Sequence, residues 1–478
     1  MGEQQGSIME TIGRTNRSRD TSVIDSASDF EVKLVPFAVD PPARLVSSEP
    51  DAQCDCACFT VEGQVLPVLQ TPISFYLELT PFCNNRCPQC GNVFMPRRGQ
   101  TGRHALPQPL KASQWAEILD KIHPYAYRLK LTGGEPTIHP ELEAILANVA
   151  RLSLPFTLFS NGRWPAPERL LTVLKSIPNF QGFLISLHGP TPDAHEVFTQ
   201  YPGSFIETLT NIQKAIQMNL PVSLSCIITH HNWRHLERML RMAKELGATN
   251  IVFNRYLGPE VAGLSPTPQE LRSAALSVQA LRADGEPVKF GNCFPQCFLP
   301  TGQTGCLAGV AFLTVDPWGQ VRPCNHTSWV CGNLFLQSVE EIWNSPNMNR
   351  WRSQYADQCR NCAAFSTCRG GCRAQAFLLH QVLDPLASHP LPSSKGLAVK
   401  WSVYEQARPL GRFVSRPENF GTLLLAGNRL FPVRRELQNV LTDLDGQTTM
   451  RQIQDRYGTA GLVLIASLYQ QGMLELLY

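Results

Sequence analysis

Cys83, Cys87 and Cys90 stand in the spacing C-x3-C-x2-C on one short stretch of chain. Three thiolates this close can hold three irons of a four-iron, four-sulfur cube and leave the fourth iron without a protein ligand. That open iron is a chelation site for a cofactor's amino and carboxylate groups. A structural zinc site would want four closed ligands, and no further Cys or His follows inside this stretch. A second field lies downstream: Cys306, then Gly319 and Cys324, then Cys359-x2-Cys362-x5-Cys368-x3-Cys372. The chain holds 16 cysteines in 478 residues, and its first residues carry no apolar export signal, so disulfides are not expected. Thiols acting only as small hydrophobes would be scattered, and grouping in tight sets argues instead for metal or cluster ligation.

The elements that must position these residues are legible as a rhythm. Short apolar runs at 73–79, 127–131, 156–159, 183–187, 222–228 and 251–253 alternate with helix-like stretches at 113–122, 140–152, 168–176, 205–218 and 233–246. Strands alternating with helices predict βαβ units and a parallel sheet. Six units predict an α/β fold of partial (β/α)6, TIM-like barrel type over residues 71–290. In such barrels chemistry gathers where strands end. Here those ends lead into Thr80-Pro81-Phe82-Cys83, Thr132-Gly133-Gly134-Glu135-Pro136, Ser160-Asn161-Gly162 and Ser186-Leu187-His188-Gly189. The four loops are expected to converge on one face.

The cysteine loop after the first strand, with Gly133-Gly134-Glu135-Pro136 after the second, resembles the radical S-adenosylmethionine (SAM) superfamily. The resemblance implies a [4Fe–4S] cluster on Cys83, Cys87 and Cys90, with SAM on the open iron and a 5′-deoxyadenosyl radical as the product of its cleavage. It implies cofactor contacts from Thr132, Gly133, Gly134 and Glu135, and less specifically from Ser160, Asn161 and Ser186. The adjacent glycines are expected to let backbone approach the methionine end of SAM. Gln89 departs from the family pattern, where many members carry an aromatic residue.

Residues 291–400 resemble the SPASM extension of radical SAM enzymes that modify peptides and proteins, which implies one or two auxiliary iron–sulfur clusters. Asp316-Pro317-Trp318-Gly319 is a β-turn signal, and a hairpin there would bring Cys306 and Cys324 together. By resemblance a first cluster takes Cys306, Cys324, Cys372 and one upstream cysteine, Cys297, with Cys293 in reserve. A second takes Cys359, Cys362 and Cys368, with a fourth ligand after Cys372. No cysteine follows Cys372, so Asp384, His389, Cys331 or an open site stand as alternatives. A zinc ribbon on Cys359, Cys362, Cys368 and Cys372 is the competing reading.

The remaining sequence is less specific. A formal net charge of +3 without a Lys/Arg run does not suggest nucleic acid or an anionic membrane as partner, and no apolar stretch is long enough to span a bilayer. A cytoplasmic location is expected. Residues 1–70, rich in Ser, Asp, Gln and Pro, read as a flexible extension, and Cys54, Cys56 and Cys58 within it as exposed thiols or a metal-transfer site. Cys226 reads as core. His188, His195, His230, His231 and His235 fall near strand-end loops without one being singled out. Residues 401–478 predict a hairpin at 422–425 and 430–433, a helix at 435–444, and two more at 448–457 and 462–471, with Thr448 as a cap. This resembles a winged-helix peptide-recognition element of ribosomal-peptide maturation.

The whole is similar to SPASM peptide maturases, including pyrroloquinoline quinone precursor-peptide cyclases. That similarity implies a ribosomal precursor peptide as substrate, its leader held by the C-terminal module, and a flavodoxin- or ferredoxin-type electron donor. Cross-linking, epimerisation and backbone excision remain open. Oxidation of a folded protein, as in sulfatase maturation, is the alternative enzymatic reading, and an iron–sulfur electron carrier is the alternative from another class.

Overall fold

The computed structural model describes residues 30–35, 61, 65–94, 106–300, 305–387 and 399–478. Cys54, Cys56, Cys58 and His389 lie outside them. The first described strand is β1 (Phe30–Val35). Six parallel strands follow: β2 (Ser74–Glu78), β3 (Arg128–Thr132), β4 (Phe156–Ser160), β5 (Phe180–Ser186), β6 (Val222–Ile228) and β7 (Asn250–Arg255). They line up in sequence order in one sheet, which short β8 (Val288–Phe290) extends beyond β7. On the other side, β9 (Phe312–Val315) runs parallel to β2, and β10 (Gln320–Arg322) and β11 (Gly332–Asn333) continue antiparallel. The sheet does not close, which makes it the expected partial barrel.

The strand sequences explain this curvature. In β6, Val222, Leu224, Cys226 and Ile228 face the helix layer and are buried in the main core, whereas Ser225 and Ile227 face the barrel interior. Period-two alternation puts apolar residues under helices such as Leu236–Leu246 and leaves small or polar ones inside, where a ligand has room. Helices not foreseen occupy Pro192–Thr199 and Pro268–Ala283; the latter opens with a capping box between Thr267 and Glu270. The expected turn joins β9 to β10: Gly319 sits at φ +82, and the Asp316 carboxylate accepts from the Trp318 and Gln320 amides.

The C-terminal unit contains β12 (Val399–Tyr404), β13 (Arg408–Gly411), β14 (Val414–Glu418), β15 (Gly421–Ala426), β16 (Arg429–Arg434) and β17 (Leu474–Leu477). The expected hairpin is β15–β16, and β14 adds a third antiparallel strand. The helix expected at 435–444 is wound as a 3-10 segment, Arg435–Asp443. The last two helices form one run, Met450–Gln470, broken at Gly458, and the cap is Thr449, whose side chain accepts from the Gln452 amide, rather than Thr448.

Residues 1–70 are not wholly a flexible extension. Strand β1 pairs in parallel with β12 over its whole length, and Leu66 and Leu69 are buried. The physical reason lies in the apolar run of β15. Leu424 packs into the C-terminal unit's own core, while Leu423 and Leu425 point the other way onto Leu66, Leu69, Ile73 and Leu307. A strand buried on both faces reads as continuous apolar sequence. Since Ile73 immediately precedes β2, the C-terminal unit sits against the N-terminal end of the barrel strands. Among the described residues no helix is long and apolar enough to cross a membrane. Replacing Leu425 by Ala should cost about 2–4 kcal/mol of unfolding free energy. Limited proteolysis should then release the C-terminal unit earlier than in the wild-type chain.

Candidate active site

At the C-terminal ends of the strands a cavity of about 260 Å³ is lined by the cysteine loop and by the loops after β3 to β7. Cys83, Cys87, Cys90, Thr132, Gly133, Gly134, Ser160, Asn161 and Ser186 all lie on its wall, so the expected convergence is observed. Glu135 is not among them. Glu135 is fully buried and off this wall, its carboxylate accepting from Thr137 N and Oγ1, Ser160 Oγ and Asn161 N at 2.7–3.2 Å. Burial pushes its pKa up, opposed by those bonds. Three of the four bonds fall on Oε1 and one on Oε2, and through them the carboxylate positions the Ser160–Asn161 turn.

The glycines also have a more local reason than cofactor approach. Gly134 N donates to Thr80 O and Glu135 N to Phe82 O, both at 2.8 Å, zipping this loop against the cysteine loop. A Cβ on Gly134 would run into the Phe82 carbonyl, and one on Gly133, at φ +135, into Thr80 O.

The cysteine loop is held from several sides. Asn85 N and Asn161 Nδ2 donate to Cys83 Sγ at 3.4 and 3.5 Å, and Asn92 N to Cys90 Sγ at 3.4 Å. Donors aimed at sulfur stabilise thiolate and tune a cluster held there. Burial works in the opposite direction: it pushes the Cys83 thiol up to about 12 and raises Cys87 and Cys90 as well. Loading iron on this loop therefore releases protons. The clamp that sequence reasoning missed is Arg163. Its guanidinium donates to Asn84 O and Asn85 Oδ1, pairs with Glu207 at 2.7 Å, and stacks 3.7 Å from the Tyr201 ring. Its place three residues after Ser160 was the available signal.

Other unforeseen wall residues are Asn254, Arg255 and His326. Of the histidines raised from sequence only His188 lines the cavity. Burial lowers it well below the usual imidazole value and takes His326 down to about 4, so both are neutral. Gln89, where an aromatic is common, packs against Gly258 on the same wall.

Beyond the cavity the second cysteine field divides into two groups. Cys293 packs against a buried cluster that holds Cys306, Cys324 and Cys372. Cys297 lines a separate pocket with Cys359, Cys362 and Cys368. The expectation that Cys297 joins Cys306, Cys324 and Cys372 is thus corrected: the reserve residue Cys293 occupies that place. Cys331 belongs to neither group and is buried in the main core, as is Cys226. Asp384 is not free to ligate. It forms a bidentate pair with Arg255 at 2.7 and 3.0 Å, both side chains essentially unexposed, and accepts from Cys372 N. A zinc ribbon on Cys359, Cys362, Cys368 and Cys372 does not fit, because Cys372 faces the other group. Among the described residues no three His, Cys, Asp or Glu side chains converge to hold a single ion.

Two substitutions test this architecture. Gly134→Ala should leave the downstream cysteine groups able to load iron while the cysteine loop fails, cutting bound iron by roughly one third if three four-iron clusters load. Asp384→Asn leaves Arg255 buried without its counter-charge and should cost about 3–5 kcal/mol of unfolding free energy.

The Radical SAM superfamily model matches residues 77–243, and the SPASM iron-sulfur cluster-binding domain model matches residues 306–363. The chain is 27% identical to the PqqA peptide cyclase of Ruegeria pomeroyi, over 67% of this chain and 87% of the cyclase. It is 23% identical to the AdoMet-dependent heme synthase of Oleidesulfovibrio alaskensis, over 65% of this chain and 86% of that one. In fold it is similar to Streptococcus suis SuiB bound to S-adenosylmethionine, with a TM-score of 0.54 and 15% identity, over 67% of this chain and 78% of SuiB. The domain matches fall on the cysteine loop and on the auxiliary cysteine field: the chain is an enzyme that carries a Radical SAM domain, which binds a [4Fe–4S] cluster and SAM, and an iron–sulfur cluster-binding SPASM domain.

Proposed function

We propose that the chain modifies a ribosomally made precursor peptide by hydrogen abstraction at the mouth of the strand-end cavity. The observation that carries this reading is the cavity itself, where the three cysteines meet the Gly133–Gly134 edge, Ser160, Asn161 and Ser186. Similarity to a peptide cyclase supports the substrate class. Cys83, Cys87 and Cys90 are assigned as the residues that would hold the cluster, which with SAM bound and one electron from an external donor would supply a 5′-deoxyadenosyl radical able to take a hydrogen atom from a carbon–hydrogen bond. This chain's residues bind and orient. Asn161 Nδ2 sits against Cys83 Sγ and Asn84 Oδ1, Glu135 fixes the turn that carries Asn161, and the wall formed by Phe159, Leu184 and Phe198 excludes water. Neutral His188 and His326 add no charge to a site that must accept an apolar or peptide group.

The C-terminal unit is assigned as the leader-binding element, acting by strand addition at a sheet edge. Strand β14 is largely exposed and has β15 on one side only. Because the unit packs at the opposite end of the barrel from the cavity, a leader bound there must be followed by a spacer. The barrel height of five to seven residues per strand sets a minimum of about seven extended residues, and a path around the outside needs more.

The experiment uses the full chain, reconstituted anaerobically and reduced, with SAM and synthetic peptides encoded beside its gene. One peptide should change mass and raise 5′-deoxyadenosine formation at least tenfold, and Cys87→Ala should abolish both. A panel that leaves every peptide unchanged, while the enzyme still cleaves SAM, overturns the peptide reading.

A further inference from the structure

We infer that Cys297, Cys359, Cys362 and Cys368 together ligate the second auxiliary cluster, so that the chain supplies its fourth thiolate from upstream and leaves no iron open. The family pattern looks for that ligand after Cys372, where this chain has no cysteine. Of the other candidates, Asp384 is consumed by Arg255 and Cys331 lies in the main core. The pocket lined by Cys297, Cys359, Cys362 and Cys368 holds four thiols on one wall.

The local chain path explains how one segment serves both groups. Cys293 and Cys297 are separated by three residues, as are Cys368 and Cys372. Cys293 and Cys372 pack together in the first group; Cys297 and Cys368 line one pocket in the second. Two C-x3-C segments therefore lie side by side in opposite sense, each giving one thiol to each group. Direct contacts hold them together. Gln296 N donates to Cys368 Sγ at 3.3 Å, and Thr367 Oγ1 donates to Gln296 Oε1 at 3.2 Å. Gly371, at φ +84, admits Pro295 and Asp384 so closely that a Cβ would meet both. At the far end Cys293 O accepts from Arg255 at 3.3 Å, which fixes Cys293 to the first group and lets the turn at 295–299 carry Cys297 across to the second.

The first auxiliary group is then Cys293, Cys306, Cys324 and Cys372, and both clusters are closed. A closed cluster cannot take substrate on an iron, so the second serves electron transfer. This inference rests on the iron–sulfur domain alone and not on the peptide reading, and its test uses no substrate.

The test is made in full-length chain with Cys83, Cys87 and Cys90 replaced by Ala, so that only auxiliary clusters load. Iron, labile sulfide and the electron paramagnetic resonance spectrum of the reduced protein are read after anaerobic reconstitution. The parent should hold about eight irons, with a spectrum unchanged by added cyanide. Cys297→Ala should lose up to half the iron, or keep it with a spectrum that now responds to cyanide. Cys297→Ser should keep most iron with shifted signals, which decides the matter if the Ala variant does not fold. Cys331→Ala should match the parent. Iron, sulfide and signals indistinguishable from the parent in both Cys297 variants would overturn the inference. So would their loss in His389→Ala.

Discussion

A single buried ion pair joins the strand-end cavity to one of the two auxiliary cysteine groups. Arg255 ends β7 on the cavity wall, and its guanidinium is met by the Asp384 carboxylate with neither side chain exposed beyond 1%. The same guanidinium holds Cys293 O, and the same carboxylate holds Cys372 N. Two cysteines of one auxiliary group are thus referenced to the barrel strand that borders the catalytic cavity. Buried charge pairs contribute little net stability once desolvation is counted, yet they are costly to break. Their use here is positional: they fix the distance between redox centres, on which electron transfer depends.

The barrel was legible because its strands obey two simple periodicities. Alternation in β6 and the amphipathic helix at Leu236–Leu246 leave few alternatives to a βα unit. The cysteine loop was legible because three thiolates at that spacing have few other uses. The division of the later cysteines was not, because sequence order is a poor guide to which of two adjacent groups a thiol joins. Cys293 and Cys297 are four residues apart, and only the turn at 295–299 separates their destinations. Arg163 and Asp384 were hidden for a related reason. Their partners, Asn84 and Arg255, are distant in sequence, and a charged residue that pairs inside looks the same on paper as one that faces water. Glu135 carries a role that its motif did not announce: its carboxylate holds the Ser160–Asn161 turn as well as its own loop.

The C-terminal unit illustrates how tertiary context overrides local signals. Its apolar β15 serves two cores at once, and the second is formed by residues just before β2, a region whose composition alone suggested no structure. Docking of this sheet beneath the barrel places it the full height of the barrel away from the strand-end cavity. Under the leader-binding role proposed above, affinity would be set at one end without constraining the geometry of the reacting group at the other.

The pairing of β1 with β12 brings together segments that lie far apart in the chain, Phe30–Val35 and Val399–Tyr404. On the ribosome, where synthesis proceeds at about 5–20 residues per second, β1 emerges roughly twenty to seventy seconds before its partner exists. During that interval its backbone donors and acceptors are unpaired, and the strand is open to any other edge it meets. The barrel meanwhile can collapse on its local βα contacts, which close quickly. Pairing of β1 therefore waits for β12, and this seam closes only after the barrel strands between them have been made.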